Sequence, residues 1–175
     1  MRIENRPEVW RLRLRITALR EPGELLASPF SMFAIPIDLL IEAFLDCSLP
    51  KVDWTHQAHL RVGLWHVHQF GPDAALVRLR DGIRRLNESH GTANTDTGGY
   101  HETITRLYVL VMDRFLTAAD RSRSLDDLTV DFIARYPTSD LPLRYYSRGR
   151  LYSLQARRDW IEPDLAAFDP GEREA

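Results

Sequence analysis

Gly98-Gly99-Tyr100-His101-Glu102-Thr103-Ile104-Thr105 decides how this chain is read. The glycine pair opens a segment whose apolar residues recur at helical spacing as far as about Ala118. His101, Ile104, Thr105, Tyr108, Val111, Met112 and Phe115 form one continuous stripe. A stripe so wide and apolar belongs against a core, so His101 and Thr105 are expected to face inward near the helix N-terminus. Glu102 falls on the flank, four residues before Arg106, where a pair along the helix is expected.

Outward from this segment the chain is a series of helical patterns. Thr92 to Thr97 is small, polar and rich in turn formers. Before it, Asp73 to His90 reads as a helix with Leu76, Leu79, Ile83 and Leu86 inward and an arginine-rich outer flank. Acidic residues interleave with those arginines, which marks a solvated face rather than a nucleic-acid stripe. Gly91 suits the left-handed position after a helix end. Further upstream, Asp53 or Thr55 caps a helix that runs to Phe70, with Trp54 packing back on its first turns, and Gly71-Pro72 stops it. His56, His59, Gly63, His66 and Phe70 fall in one sector of that helix. Gly63 there is expected to let a backbone or a ligand approach closely. Ile37 to Cys47 is the first core helix, and Leu125 to Tyr136 the fifth. Ser147 and Ser153 cap short helices in the tail.

The chain has 175 residues, 44% of them hydrophobic and 27% charged, and a formal net charge of -2. These values fit one soluble globular domain with a single core. They give no bulk electrostatic pull toward nucleic acid or membrane. Spanning a bilayer takes about 20 apolar residues. The nearest run, Phe30 to Leu45, is interrupted by Pro36, Asp38 and Glu42. The single Cys47 excludes an internal disulfide and fits a reducing compartment. Near the start, Arg11, Arg13 and Arg15 alternate with Leu12, Leu14 and Ile16, but a lone strand is unstable in water. Glu4, Glu8, Glu21 and Glu24 are out of place in a targeting peptide. Residues 1–35 are therefore read as a poorly ordered extension, with Met32 a candidate second start. Residues 36–168 are read as the helical domain and 169–175 as a disordered tail.

Four residues make the sharpest chemical constellation: His56 and His59 on one helix face, and His101 and Glu102 at the start of another. Three imidazoles and a carboxylate suit zinc or iron, which would make all four metal ligands. The metal-free alternative makes His101 an acid or base, oriented by Glu102 or Tyr100, with His59 in the same site. The structural alternative makes the histidines core-edge residues satisfied by their neighbours, with Glu102 paired to Arg106. Gly98 and Gly99 invite an anion at the helix start, with Arg157 as counter-charge if the tail folds back. They also serve simply to turn the loop sharply. Tyr100 and Thr105 are candidate substrate hydrogen-bonders.

The order of these segments resembles a widespread family of small, uncharacterised bacterial proteins. In that family an H-x-x-H-L-type segment precedes a Y-H-E-T-[IL]-T segment, matched here by His56 to Leu60 and Tyr100 to Thr105. The tail around Tyr145-Tyr146-Ser147, Ser153 and Arg157 is also similar. The loop Asn94 to Thr97 is longer than in many members. The resemblance implies that these residues form the family's signature, and it carries no reaction with it.

The expectation is thus an all-α, single-domain bundle of about five helices. Its function is expected to be that of a cytoplasmic small-molecule enzyme with a His/Glu site between the second helix and the start of the fourth. The alternative is a non-catalytic helical domain that binds a small molecule or a protein, with Trp54, Trp65, Tyr108 and Trp160 shaping an apolar pocket.

Overall fold

Helical periodicity and end signals carry through into the tertiary fold. The computed structural model describes residues 35–120 and 122–168. Among the described residues every regular element is helical. They are α1 (Ile37–Leu45), α2 (His56–Ser89), α3 (Glu102–Ala118), α4 (Leu125–Arg135) and the short α5 (Arg148–Leu151) and α6 (Leu154–Arg158). Two 3-10 turns, Lys51–Asp53 and Leu141–Arg144, join them. The extension expected over 1–35 lies outside the described residues except for Ile35, which is buried and whose carbonyl accepts from Arg61 at 2.6 Å. The tail expected over 169–175 lies outside them entirely. No helix among the described residues is long and apolar enough to cross a membrane.

The two helices expected on either side of Gly71-Pro72 are both present, meeting at a sharp break as the two limbs of α2. Gly71 adopts φ 72° and ψ 167°, a conformation that interrupts the ladder and is open to glycine at little cost. Pro72 lacks the N–H that the break would leave unpaired. Thr55 caps the first limb, its hydroxyl accepting from the Ala58 amide at 3.3 Å. Trp54 stacks on the His59 ring at 3.7 Å, the staple position with an imidazole in place of an aliphatic group.

α3 packs along both limbs of α2 and makes the most extensive interface in the fold. Phe44 of α1, fully buried, sits in the angle of α2 against Trp54 and His66. α1 ends at Leu45, before the expected Cys47, which lies in a left-handed turn at φ 61°. Asp46 explains the early stop, since its carboxylate accepts from the Ser48 amide and stabilises the turn.

Gly82 on the second limb faces the Phe44 ring. A Cβ built there meets ring carbons at 2.4 and 2.6 Å. Ala normally favours a helix over Gly by about 1 kcal/mol, but overpacking a fixed ring costs about 1–3 kcal/mol. Gly82→Ala is expected to lower stability by about 1–2 kcal/mol in urea unfolding. A more stable variant would show that Phe44 is not held in place.

Candidate functional site

Tyr100 to Thr103 are buried and Ile104 and Thr105 half-buried, and the polar groups of the segment are engaged within the fold. His101 is the N-cap of α3: its Nδ1 accepts from the Ile104 amide at 3.3 Å. Its Nε2–H donates to the Leu151 carbonyl at 2.9 Å, tying α3 to the end of α5. Both ring nitrogens are therefore occupied in the neutral form. Burial holds the imidazole below its ordinary pKa, and Arg157 nearby acts the same way.

Glu102 was expected on the flank beside Arg106. It is instead buried, with a two-pronged pair to Arg80 on the second limb of α2 and a 2.9 Å hydrogen bond from the Tyr100 hydroxyl. Arg106 lies over the Trp160 ring, 5.0 Å from its centroid. The helix begins at Glu102, two residues later than the expected Tyr100, and the kink in α2 brings Arg80 to it. Burial alone would raise the Glu102 carboxyl. The hydrogen bonds from Arg80 and Tyr100 outweigh it and hold the carboxyl below its ordinary value. Thr103 donates to the Asp159 carbonyl at 2.7 Å and accepts from the Ile161 amide, and Thr105 donates to the His101 carbonyl.

The glycine loop is closed in the same way. Gly98 N–H donates to Thr95 and Tyr100 N–H to Asn94, so those amides are not offered to an anion. Gly99 has φ 74°, and a Cβ there would lie 2.7 Å from the Ala93 carbonyl. The tail does fold back, but Arg157 donates to the Gly99 and Tyr100 carbonyls at 3.3 and 3.1 Å, and Arg158 pairs with Asp96.

A cavity of about 400 Å³ lies beside this interlock, between the limbs of α2 and the side of α3. His56, His59 and Thr105 line it, whereas Tyr100, His101, Glu102, Gly98, Gly99 and Arg157 do not. The four residues expected as metal ligands are thus not assembled. Among the described residues no group of three or more His, Cys, Asp or Glu is placed to hold a metal ion.

The cavity wall is mainly apolar: Leu60, Leu79, Ile83, Ile104, Val109 and Met112. Gly63 admits the Met112 side chain rather than a backbone, since a Cβ there would lie 2.8 Å from the Met112 sulfur. The polar part comes from Trp54, His56, His59, Thr105, Tyr108, Ser139 and Tyr152. His56 Nε2–H donates to the Tyr136 carbonyl at 3.2 Å. His59 Nδ1–H donates to the Thr55 carbonyl at 2.7 Å, which leaves Nε2 as a lone-pair acceptor. Burial pushes the His59 pKa down to about 4, against the Thr55 carbonyl and with help from His56.

Two residues of this lining carry a donor without a partner, the Tyr108 hydroxyl and the Trp54 indole N–H, each closed even to a water molecule and so not open to the cavity. A buried, unsatisfied donor costs about 1–3 kcal/mol. Burial also raises the Tyr108 pKa, so the hydroxyl stays protonated. The sequence marks Trp54 and Tyr108 as pocket residues. It gives no sign that their donors are left over, nor that Leu79, Ile83, Ser139 and Tyr152 join them across the fold. Trp65 and Trp160 lie outside the cavity lining.

No protein-family model, curated protein or solved structure matches this chain.

Two outcomes are expected. His101→Ala removes a cap and the tie to Leu151 and should lower stability by about 1–3 kcal/mol in urea unfolding. Tyr108→Phe removes an orphan donor and should leave stability unchanged or raise it by up to about 1 kcal/mol. The opposite ranking would reverse these roles. A third outcome concerns pH. His59 is at about 4 folded against 6.5 free, so between these values the unfolded chain binds a proton that the native chain refuses. Stability is therefore present in full above pH 6.5 and falls as pH drops toward 4. His66 and His101 shift in the same direction. In His59→Leu the fall should be shallower by about one proton's slope, read from urea midpoints at several pH values. Superimposable profiles would mean that His59 does not resist protonation.

Proposed function

We propose that this protein binds a small, largely apolar molecule in the cavity between α2 and α3. The observation that carries the reading is the cavity itself, about 400 Å³ in volume, with a mainly apolar wall that holds no Asp, Glu, Lys or Arg among the described residues. The volume falls in the range of small-molecule sites, about 300–1,000 Å³. On this reading the Tyr100–Thr105 segment, shared with the family the chain resembles, is a signature of the fold rather than a reactive centre. The lone Cys47 fits a reducing, cytoplasmic setting.

Binding is favoured over proton transfer by the chemistry of His59. Its Nε2 is open, but a base whose conjugate acid has a pKa of about 4 is weak at neutral pH. His101 and Glu102, expected as the acid, base or ligands, are held by Leu151, Ile104, Arg80 and Tyr100.

The neutral fluorophore N-phenyl-1-naphthylamine tests this directly. It should bind saturably with one site per chain and raise the melting temperature. Ile104→Trp fills the cavity from a half-buried wall position and should abolish the binding, with the far-ultraviolet circular dichroism of a helical protein retained. No saturable binding, or binding unchanged in the folded variant, would refute the reading.

A further inference from the structure

The polar groups of the cavity wall differ in what they can offer an occupant. The Tyr108 hydroxyl and the Trp54 indole N–H are closed even to a water molecule, so these two residues contribute only apolar surface. Thr105 directs its hydroxyl proton to the His101 carbonyl at 2.9 Å. Ser139 and Tyr152 are exposed and stand where the cavity meets solvent. The two histidines remain, and both are half-buried.

Each imidazole gives its N–H to a backbone carbonyl. His56 donates from Nε2 to Tyr136 at 3.2 Å, and His59 from Nδ1 to Thr55 at 2.7 Å. A carbonyl oxygen can only accept, so each contact fixes the tautomer and leaves the other ring nitrogen with a lone pair. In His59 that nitrogen is Nε2. One face of the ring lies against Trp54, with the ring centroids 3.7 Å apart. With Nδ1 and that face covered, the half-buried ring presents its other face and its Nε2 edge to the cavity it lines. Nε2 is not among the atoms closed off from water, and it has no partner among the described residues. The burial that pushes the His59 pKa down to about 4 keeps the ring neutral, and the lone pair free, at neutral pH.

The hydrogen-bonding capacity left open is therefore that of an acceptor. An occupant with a donor completes it, and a hydrocarbon, an ether or a ketone does not. A carboxylate or phosphate would set its own lone pairs against that of Nε2. An ammonium, although a donor, would lose its hydration and meet no counter-charge, since the lining holds no Asp or Glu among the described residues.

Resting on the reading of the cavity as a small-molecule site, we propose that its occupant is an uncharged, mostly apolar molecule carrying a hydroxyl, and that this hydroxyl donates to Nε2 of His59.

Displacement of N-phenyl-1-naphthylamine at neutral pH by three naphthalenes of similar size supplies the test. They are 1-naphthalenemethanol, 1-ethylnaphthalene, in which a methyl replaces the hydroxyl, and 1-naphthylmethylammonium. The alcohol should bind, and the ammonium at least about tenfold more weakly. The hydrocarbon corrects for apolar burial, so the readout is the ratio of the alcohol's dissociation constant to the hydrocarbon's. His59→Phe keeps a flat ring beside Trp54 and has no lone pair. Confirmed folded by its thermal melt, the variant should raise that ratio about tenfold. In the native protein the nitrogen NMR signal of His59 Nε2 should move upfield with the alcohol and far less with the hydrocarbon, a measurement that decides alone if the variant does not fold. A ratio unchanged by His59→Phe, an Nε2 signal that responds equally to both, or an ammonium that binds as tightly as the alcohol overturns the proposal. In each case the fluorophore still binds, and the small-molecule reading stands. If the fluorophore does not bind at all, both fall together.

Discussion

The N-terminus of α3 must satisfy a dense set of polar groups in a place water does not reach, and the rest of the fold depends on how it does so. A helix start leaves orphan N–H groups, and this one is buried together with an imidazole, a carboxylate and a threonine, Thr103. His101 meets the demand from both sides of its ring, accepting from Ile104 and donating to Leu151. Arg80 and Tyr100 neutralise and bond Glu102, and Thr103 bridges to Asp159 and Ile161. Beyond α3 itself, the partners come from the second limb of α2, the end of the glycine loop and the tail. Satisfying one helix end therefore fixes the second limb of α2, the glycine loop and the tail relative to α3.

That interlock accounts for the character of the neighbouring cavity. The side chains richest in chemistry are held in structural hydrogen bonds. What remains for the cavity is the apolar flank of α3 below its first turn, facing the limbs of α2. Burial there disfavours charge, which is why His59 is held neutral. The Tyr108 and Trp54 donors stand out because the same constraint is met so fully at the head of α3.

The break at Gly71 matters as much as any single contact. A straight helix of 34 residues would extend about 50 Å at 1.5 Å per residue, longer than a domain of this size is wide. Folding it at Gly71 gives two limbs that share one partner helix. The inner angle is filled by Phe44, which Gly82 admits by having no Cβ. The same turn brings Arg80 within reach of Glu102 and places Leu79 and Ile83 opposite Leu60 in the cavity wall.

The sequence by itself determined the helical class, the order of the elements and most of their ends. Periodicity, Thr55, Ser147 and Ser153 as caps, and the stops at Gly71 and Gly91 are local signals, set by neighbours within a turn or two. It also marked Tyr100 to Thr105 as a polar site, with His101 and Thr105 facing inward and Glu102 on the flank, and put His56 and His59 on one helix face. Only the tertiary structure decided which groups those side chains meet. Glu102 has a residue of suitable charge one turn along its own helix, Arg106, yet bonds Arg80, 22 positions away. His101 points to a carbonyl 50 positions away. Hydrogen-bond partners across the fold depend on the kink angle and the path of the tail, which no local pattern encodes. For the same reason the two unpartnered donors could not be read in advance: a missing partner is a property of everything that surrounds a group, not of the residue itself.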